Sequence, residues 1–430
     1  MTPEECKLLA ETDRGTPMGE LLRRYWMPAL LSRELEADGA PVRVKMLGEE
    51  LIAFRDTQGR VGLLREFCAH RGASLYFGRN GEDGLRCWYH GWKWDTEGNC
   101  LDQPYMPEDR RFCDKVKQTA YPCIERNGAV WTYLGPRESM PGLPELEWLT
   151  VPASHVYVTK RIQLCHWTQG MDGDMDGSHV AFLHDNVLDH TKEQAGQAST
   201  ALMKAQLAPH MEVEWTDAGI ALAVRREIDA RHFSWRVNQW MLPGFTMIPP
   251  FPGDHPILGH SWVPIDDARA WLFVFSWHPA RPLTQDEIDY MAAGNNNTHI
   301  RLIPGTWTPR ANASNDYAGP DAPSAKQPWM RVKDIQDQDV AATESMGPLY
   351  DRTQENLCVQ DIAIVNARRR LIEAARGLQK GIEPPGRDPA AYRIRSVSTK
   401  LPKDTKDWLK GIAGEMDARP ETYKVFAPER

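Results

Sequence analysis

Residues 68 to 90 read CAHRGASLYFGRNGEDGLRCWYH, which sets Cys68-x-His70 sixteen residues ahead of Cys87-x-x-His90. Each half offers one thiolate and one imidazole, so folding the two loops together can put both sulfurs on one metal and both imidazoles on another. That is the mixed ligation of a [2Fe-2S] cluster, in which two neutral imidazoles reduce the negative charge left by four thiolates and raise the potential to roughly −150 to +300 mV. Zinc is the competing occupant. Zinc modules more often pair Cys with Cys and His with His at each knuckle, and the aromatic run from His90 to Asp95 adds cover behind the second loop.

A chain of 430 residues can bury a substantial core and is long enough for two or three domains. Its formal charge of −8 offers no positive field to hold a nucleic-acid backbone. No apolar run approaches the length of a membrane span, and the opening MTPEECKLLAETDRG lacks the apolar centre of a signal peptide, so a cytoplasmic protein is expected. Eight cysteines are too sparse for a disulfide scaffold; apart from Cys68 and Cys87 they read as reduced structural thiols.

Residues 3–26 carry apolar positions at helical offsets around a break at Gly15-Thr16-Pro17 and form a helical N-terminal segment, 1–26. After Pro28 short alternating strands joined by tight turns take over, through Val130 to Leu134, so 27–135 reads as a small all-β domain with the metal loops at one end of its sheets. Four prolines from Pro136 to Pro152 inclusive mark a linker, 136–152. From 153 to 380 the pattern is α+β: a strand over 156–164, a helix from Trp167 to His184, strands over 211–224 and 233–241, a long loop over 304–330 and helices from Asp334 to about Arg376. Residues 381–430, with prolines and charges, read as a tail wrapping a surface.

Within the helical stretch lies Asp176-x-x-His179, followed by His184. Five residues set two histidines about 140° apart on a regular helix, so a bulge or helix end is needed to bring them to one metal. Ordinary hydrogen-bonded histidines are the alternative. In the strand from His232 to Met241, period two puts Ser234, Arg236, Asn238 and Trp240 on one face. A mid-strand arginine among aromatic neighbours should meet a carboxylate, from the substrate or from the protein itself.

Cys68-x-His-Arg with Cys87-x-x-His-Gly-Trp, Thr16 to Trp26, Trp235 to Trp240, and Glu344 to Pro348 with Asp351-Arg-Thr353 together resemble the Rieske non-haem iron aromatic-ring-hydroxylating oxygenases, in their phthalate-dioxygenase-type branch. The resemblance implies an N-terminal Rieske [2Fe-2S] domain, held by Cys68, His70, Cys87 and His90, followed by a helix-grip catalytic domain in which a curved antiparallel sheet faces helices. It implies mononuclear Fe(II) on His179, His184 and one carboxylate, matched best by Asp339 in Gln338-Asp with Glu344 five residues on; Asp337 competes. Asp176 would bridge His179 to His70 or His90 of a neighbouring subunit. The implied activity is that of a terminal oxygenase, fed electrons by a separate NADH-dependent flavin and iron-sulfur reductase. It would use O2 to convert an aromatic carboxylate to a cis-dihydrodiol, in a homotrimer or stacked homohexamer.

O-demethylation of methoxylated acids is the alternative reaction, and a non-enzymatic Rieske electron carrier the alternative class. Three departures stand out. Ala69 occupies the family's usual proline, His166 the frequent asparagine, and His210 the arginine of phthalate enzymes. With Arg236 and His210 as candidate substrate contacts, a singly anionic benzoate or a differently spaced dicarboxylate fits better than ortho-phthalate.

Overall fold

Thr2 and Glu5 each accept the other's backbone N–H at 3.2 Å and start α1 (Pro3–Ala10), with Pro3 at its first position. Thr16 and Pro17 repeat those start signals for α2 (Pro17–Leu22). The helical segment expected to reach Trp26 stops at Leu22: Trp26 opens β1 (Trp26–Leu31), whose six residues are all buried and pair with a later strand. The computed structural model describes residues 1–185, 194–251, 253–294, 298–319, 324 and 326–425.

β2 (Val42–Met46), β3 (Glu49–Arg55) and β4 (Val61–Arg65) follow as an antiparallel meander. The first turn needs Gly48, at φ +72°, because a Cβ there would lie 1.8 Å from Asp13 Oδ1. Four short strands, β5 (Arg79–Gly81), β6 (Gly84–Arg86), β7 (Lys93–Trp94) and β8 (Cys100–Asp102), make a separate sheet that carries the Cys/His loops. β9 (Ala120–Tyr121) joins the edge of β4, while β10 (Cys123–Arg126) and β11 (Ala129–Tyr133) complete a sheet ordered β1-β11-β10. A small core of Ile52, Phe54, Leu64, Leu75, Leu85 and Trp94 packs under the two cysteine loops.

The main core is a separate cluster that runs without a break from β1–β4 and β11 into the second half of the chain. Trp131 on β11 lies 5.9 Å from both Phe245 and Phe275, and Trp148 stacks on Phe275 at 5.2 Å. Trp148 belongs to α3 (Glu147–Thr150), inside the stretch expected as a linker. Beside it Glu147 and Arg395 form an ion pair with both side chains 1% exposed.

The second half is built on one antiparallel sheet of β12 (Val156–Gln163), β13 (His210–Trp215), β14 (Gly219–Glu227), β15 (His232–Met241), β16 (Phe245–Ile248), β17 (Ile257–Asp266) and β18 (Arg269–Trp277), in the order β12-β18-β17-β16-β15-β14-β13. Its helices are α4 (Trp167–Met175), α5 (Val180–Leu183), α6 (Gln194–Ala205), α7 (Gln285–Ala293), α8 (Ile335–Glu344) and α9 (Ile362–Gln379). β19 (Val397–Pro402) and α10 (Trp408–Met416) come last.

Three local readings change. The strand expected over 211–224 is a hairpin, turned at Thr216 to Gly219, where Gly219 N–H donates to Thr216 Oγ at 2.9 Å. The supposed surface tail supplies β19, which pairs with β15 over His232–Val237 beyond the short β16, and α10 packs Trp408 on Trp235 at 5.7 Å. Finally, the helix from Trp167 to His184 is two helices. Asp176 has extended backbone (ψ 105°), and its Oδ1 accepts the N–H of Ser178 at 2.7 Å, the Ser178 hydroxyl at 2.6 Å and the N–H of His179 at 3.3 Å. An acidic side chain that satisfies the next turn's amides ends one helix and begins another. Among the described residues no helix is long and apolar enough to cross a membrane.

Candidate active site

The two cysteine loops are built alike. Cys68 C=O accepts Gly72 N–H at 2.8 Å and Cys87 C=O accepts Gly91 N–H at 3.0 Å, with the glycines at φ +74° and +71°. Cys68 N–H donates to Ala73 C=O at 2.9 Å and Cys87 N–H to Trp92 C=O at 2.8 Å. Each loop thus closes on itself four and five residues after its cysteine, which turns the sulfur inward and the following histidine outward. Cys68 and Cys87 are buried, and the His70 and His90 rings meet edge-on at 4.6 Å, with Trp92 stacked on His70 at 4.4 Å. The interaction between the two thiols pushes Cys87 down to about 6 and Cys68 up. Two inward-turned sulfurs beside two imidazoles are a donor set suited to metal.

The loops are also buttressed. Ala69 N–H donates to Gln118 Oε1 at 2.6 Å, a bond a proline there could not make, and Gln118 Nε2 holds the carbonyls of Arg65 and Phe67. Glu66 accepts the Ser74 hydroxyl at 2.5 Å and Arg43 Nε at 3.0 Å, and Arg43 lies over the Tyr76 ring at 4.0 Å.

The break after α4 solves the angular problem of the second histidine pair. His179 and His184 rings stand 5.2 Å apart, and one nitrogen from each lies with a carboxylate oxygen of Asp339 in a cluster no more than 4.8 Å across. Asp339 Oδ1 is 3.2 Å from His184 Nε2 and 3.7 Å from His179 Nε2. Asp339 comes from 155 residues further along the chain, and α8 is clamped to the β12–α4 junction by several bonds. Arg161 donates to Gln336, Gln163 to Thr343, Leu164 N–H to Glu344 and Gln169 to Gly347.

The outer nitrogens decide what the inner ones can do. Gln338 Nε2 donates to Val332 C=O at 3.0 Å, so its Oε1 faces His184 Nδ1, at 2.7 Å, and must accept a proton from it. His184 Nε2 is then a bare lone pair, directed at a carboxylate oxygen that is also only a lone pair. Two acceptors at 3.2 Å repel unless a cation lies between them, so these residues fit a divalent metal with two imidazoles and one carboxylate. Asp176 Oδ2 stands 3.5 Å from His179 Nδ1. Burial would raise the Asp176 carboxyl, but the His179 contact outweighs it and holds the acid down to about 2. Burial likewise opposes protonation of His179, and Asp176 and Asp339 together push it up.

Not every candidate joins this group. Asp337 stands apart, its Oδ1 buried without a hydrogen bond, and burial with the neighbouring Asp334 pushes its carboxyl up to about 7. His166 caps α4, bonding Thr168 and the carbonyl of Ala10. Arg236 donates to the carbonyls of Pro249 and Pro250 and lies over Phe251 at 4.8 Å. His210 is on the edge strand β13, its side chain 54% exposed and 3.0 Å from Glu212. Sequence reasoning passed over Gln338, Gln118, Arg161 and the buried set in which Asp174 accepts from Thr246, His260 and Trp262. The Gln338-Asp339 pair was a signal for the acid alone; nothing local marks the others.

Fold and site together define a protein with two candidate metal sites: an all-β domain presenting a Cys2His2 loop pair, and a sheet-and-helix domain presenting His2Asp. Residues 25–122 match the Rieske [2Fe-2S] domain family and residues 132–423 match the family described as LigXa C-terminal domain like. The chain is 37% identical to the 3-chlorobenzoate-3,4-dioxygenase oxygenase subunit of Comamonas testosteroni, over 93% of this chain and 95% of that one. It is 34% identical to the phthalate 4,5-dioxygenase oxygenase subunit of Pseudomonas putida, over 95% and 94%. The terminal oxygenase of carbazole 1,9a-dioxygenase from Novosphingobium sp. KA1 shares the fold, with TM-score 0.59 at 20% identity over 87% of this chain and 96% of that one. The chain belongs to the Rieske non-haem iron ring-hydroxylating oxygenases. Its cofactors are a Rieske [2Fe-2S] cluster and a mononuclear iron.

Proposed function

We propose that the chain is the terminal oxygenase of a multicomponent system that hydroxylates an aromatic carboxylate, a substituted benzoate or phthalate isomer, to a cis-dihydrodiol. The observation that carries this reading is the convergence of His179, His184 and Asp339 in a chain with a Rieske domain and near full-length likeness to oxygenase subunits for 3-chlorobenzoate and phthalate. In this reading Cys68, His70, Cys87 and His90 hold the cluster, and the two histidines with Asp339 hold the iron. Bound there, iron supplies dioxygen activation with electrons delivered through the cluster. The protein's own work is to fix ligand tautomers through Gln338 and Asp176 and to bind and orient the acid under the sheet.

Electrons come from an NADH-dependent flavin and iron-sulfur reductase, and the oxygenase assembles as a ring of three or two stacked rings in the cytoplasm. Supporting the ring, Tyr76, Phe77, Trp88, Tyr89 and Tyr105 are 40% to 82% exposed, most of them on the cluster loops, an apolar surface that a neighbour would cover. Asp176, 25% exposed, would meet His70 or His90 of that neighbour. Supporting a reducing compartment, all eight cysteines are unpaired.

A screen of aromatic acids for substrate-stimulated O2 uptake with a surrogate reductase, with products identified, tests the activity. A cis-dihydrodiol is expected; phenol with formaldehyde would replace it by O-demethylation. About three irons per chain are expected, and about two would make the protein an electron carrier.

A further inference from the structure

Beneath Asp339 the helix-facing side of the sheet carries buried polar groups that the metal does not use. Cross-strand register puts Thr159, Val274, His260 and Thr246 in one row, with Arg161, Leu272 and Trp262 in the next row on the same face. His299 sits over this face, bonding Thr159 at 2.8 Å and Ser276 at 2.9 Å. Asp174 comes down from α4 onto His260 Nδ1 at 2.9 Å, Trp262 Nε1 at 2.6 Å and the Thr246 hydroxyl at 2.7 Å. His260, 3% exposed, keeps its Nε2 buried with no hydrogen-bond partner among the described residues.

Arg161 is the cation of this face. It is 3% exposed, and its one hydrogen bond to a described residue is from Nη1 to the neutral amide of Gln336 at 2.9 Å. Its Nε is buried without a partner, and it forms no ion pair among the described residues. A guanidinium carries five N–H donors in a fork that fits a carboxylate, and burying one unpaired is costly. Gln336 and Asp339 are three residues apart on α8, so the guanidinium lies within about one helical turn, ~5.4 Å along the axis, of the proposed iron ligand. Of the acids whose charge reaches Arg161, Asp339 is committed to metal, Asp174 to His260, Trp262 and Thr246, and Glu344 to the Leu164 N–H and the Tyr317 hydroxyl, while Asp337 lies near but forms no ion pair with the guanidinium among the described residues.

We infer that Arg161 receives the carboxylate of the aromatic acid, and that the substrate class is a monoanion, because Arg161 is the buried cation of this face and no carboxylate among the described residues ion-pairs with it. The inference rests on the aromatic-carboxylate reading above. It moves recognition away from Arg236, whose guanidinium is engaged by the carbonyls of Pro249 and Pro250, and from the exposed His210. The ring then lies between Arg161 and the His260 Nε2, where a polar ring substituent can be hydrogen-bonded.

Calorimetric titration of the cluster- and iron-loaded protein with benzoate, and with its uncharged isostere benzamide, tests the assignment. The wild-type protein is expected to prefer benzoate by about 30-fold. In Arg161→Met, with unchanged cluster absorbance and iron content, that preference falls to about threefold or less, whereas Arg161→Lys keeps part of it and Arg236→Met stays near the wild type. Should Arg161→Met lose iron, Arg161→Gln, which can keep a bond to Gln336, is read the same way. Undiminished preference in the loaded Arg161 variants, or collapse in Arg236→Met instead, overturns the assignment. Phthalate dianion binding more than about tenfold tighter than benzoate overturns the monoanion class. A wild-type protein that binds none of these acids overturns the aromatic-carboxylate reading itself, a separate result from a variant that binds normally.

Discussion

Asp172 and Asp174 stand two residues apart on α4, about 200° of helical rotation, and Asp176 follows where the helix has ended in extended backbone, so the three serve different partners. Asp172 pairs with Arg368 at 2.5 Å on α9, Asp174 with His260 on the sheet, and Asp176 with His179 beyond the helix break. Side chains one step removed from the metal thus decide which atoms face it. Gln338 shows this most directly, because its amide oxygen fixes the proton on His184 Nδ1 and leaves Nε2 free to ligate. Gln338→Leu keeps a similar volume and removes the acceptor. The expected result is a mononuclear iron affinity weakened about 10- to 100-fold with the cluster intact, read by iron content after chelator dialysis against the cluster's visible absorbance.

At the scale of elements, what was legible depended on how local the cause was. The two Cys/His loops that meet were legible because Cys68 with His70 and Cys87 with His90 declare themselves within a few residues, and β15 because its period-two pattern is explicit: Asn238 and Trp240 do bond the carbonyl of Asp174 and the sulfur of Met171 on α4. The helix through Asp176 was misread because periodicity ignores a carboxylate that can cap the following turn. Arg161 was invisible because only the packing of α8 reveals which face of β12 looks inward. The tail was misread since β19 is recruited by β15, about 160 residues earlier, after β16 has ended too soon to cover that edge. Its attachment is an aromatic stack with Trp408 5% exposed, so Trp408→Ala should cost about 3–5 kcal/mol in denaturant unfolding, and removal of residues 381–430 should yield insoluble protein.

The whole molecule adds two consequences that no single element carries. His166, at the contact between α1 and α4, and His299, on the sheet face, are buried, and burial pushes both down to about 3. A histidine depressed in the folded state contributes fully above its unfolded pKa near 6.5, and its contribution is lost as pH falls from there toward 3. At pH 5 each costs about 2 kcal/mol, so the melting temperature should drop between pH 7 and 5, and His166→Gln should flatten that drop.

The second consequence concerns the path of electrons. If the cluster of one subunit serves the iron of the next, the donor and acceptor of a working pair are on different chains, and two dead variants can rescue each other. Cys68→Ser removes a proposed cluster ligand and His179→Ala a proposed iron ligand; each alone should be inactive in coupled turnover. Co-expressed in equal amounts and assembled at random, a directed interface works when an iron-deficient chain faces a cluster-deficient one. That arrangement occupies about a quarter of the interfaces in a closed ring. Activity near a quarter of the wild type is therefore expected from the mixture. Asp176→Asn introduced into the cluster-deficient chain should abolish the rescue while leaving iron in place, since that chain supplies the accepting Asp176. Electron transfer within a single chain predicts no rescue at any mixing ratio, and so separates the ring from a monomer that turns over by itself.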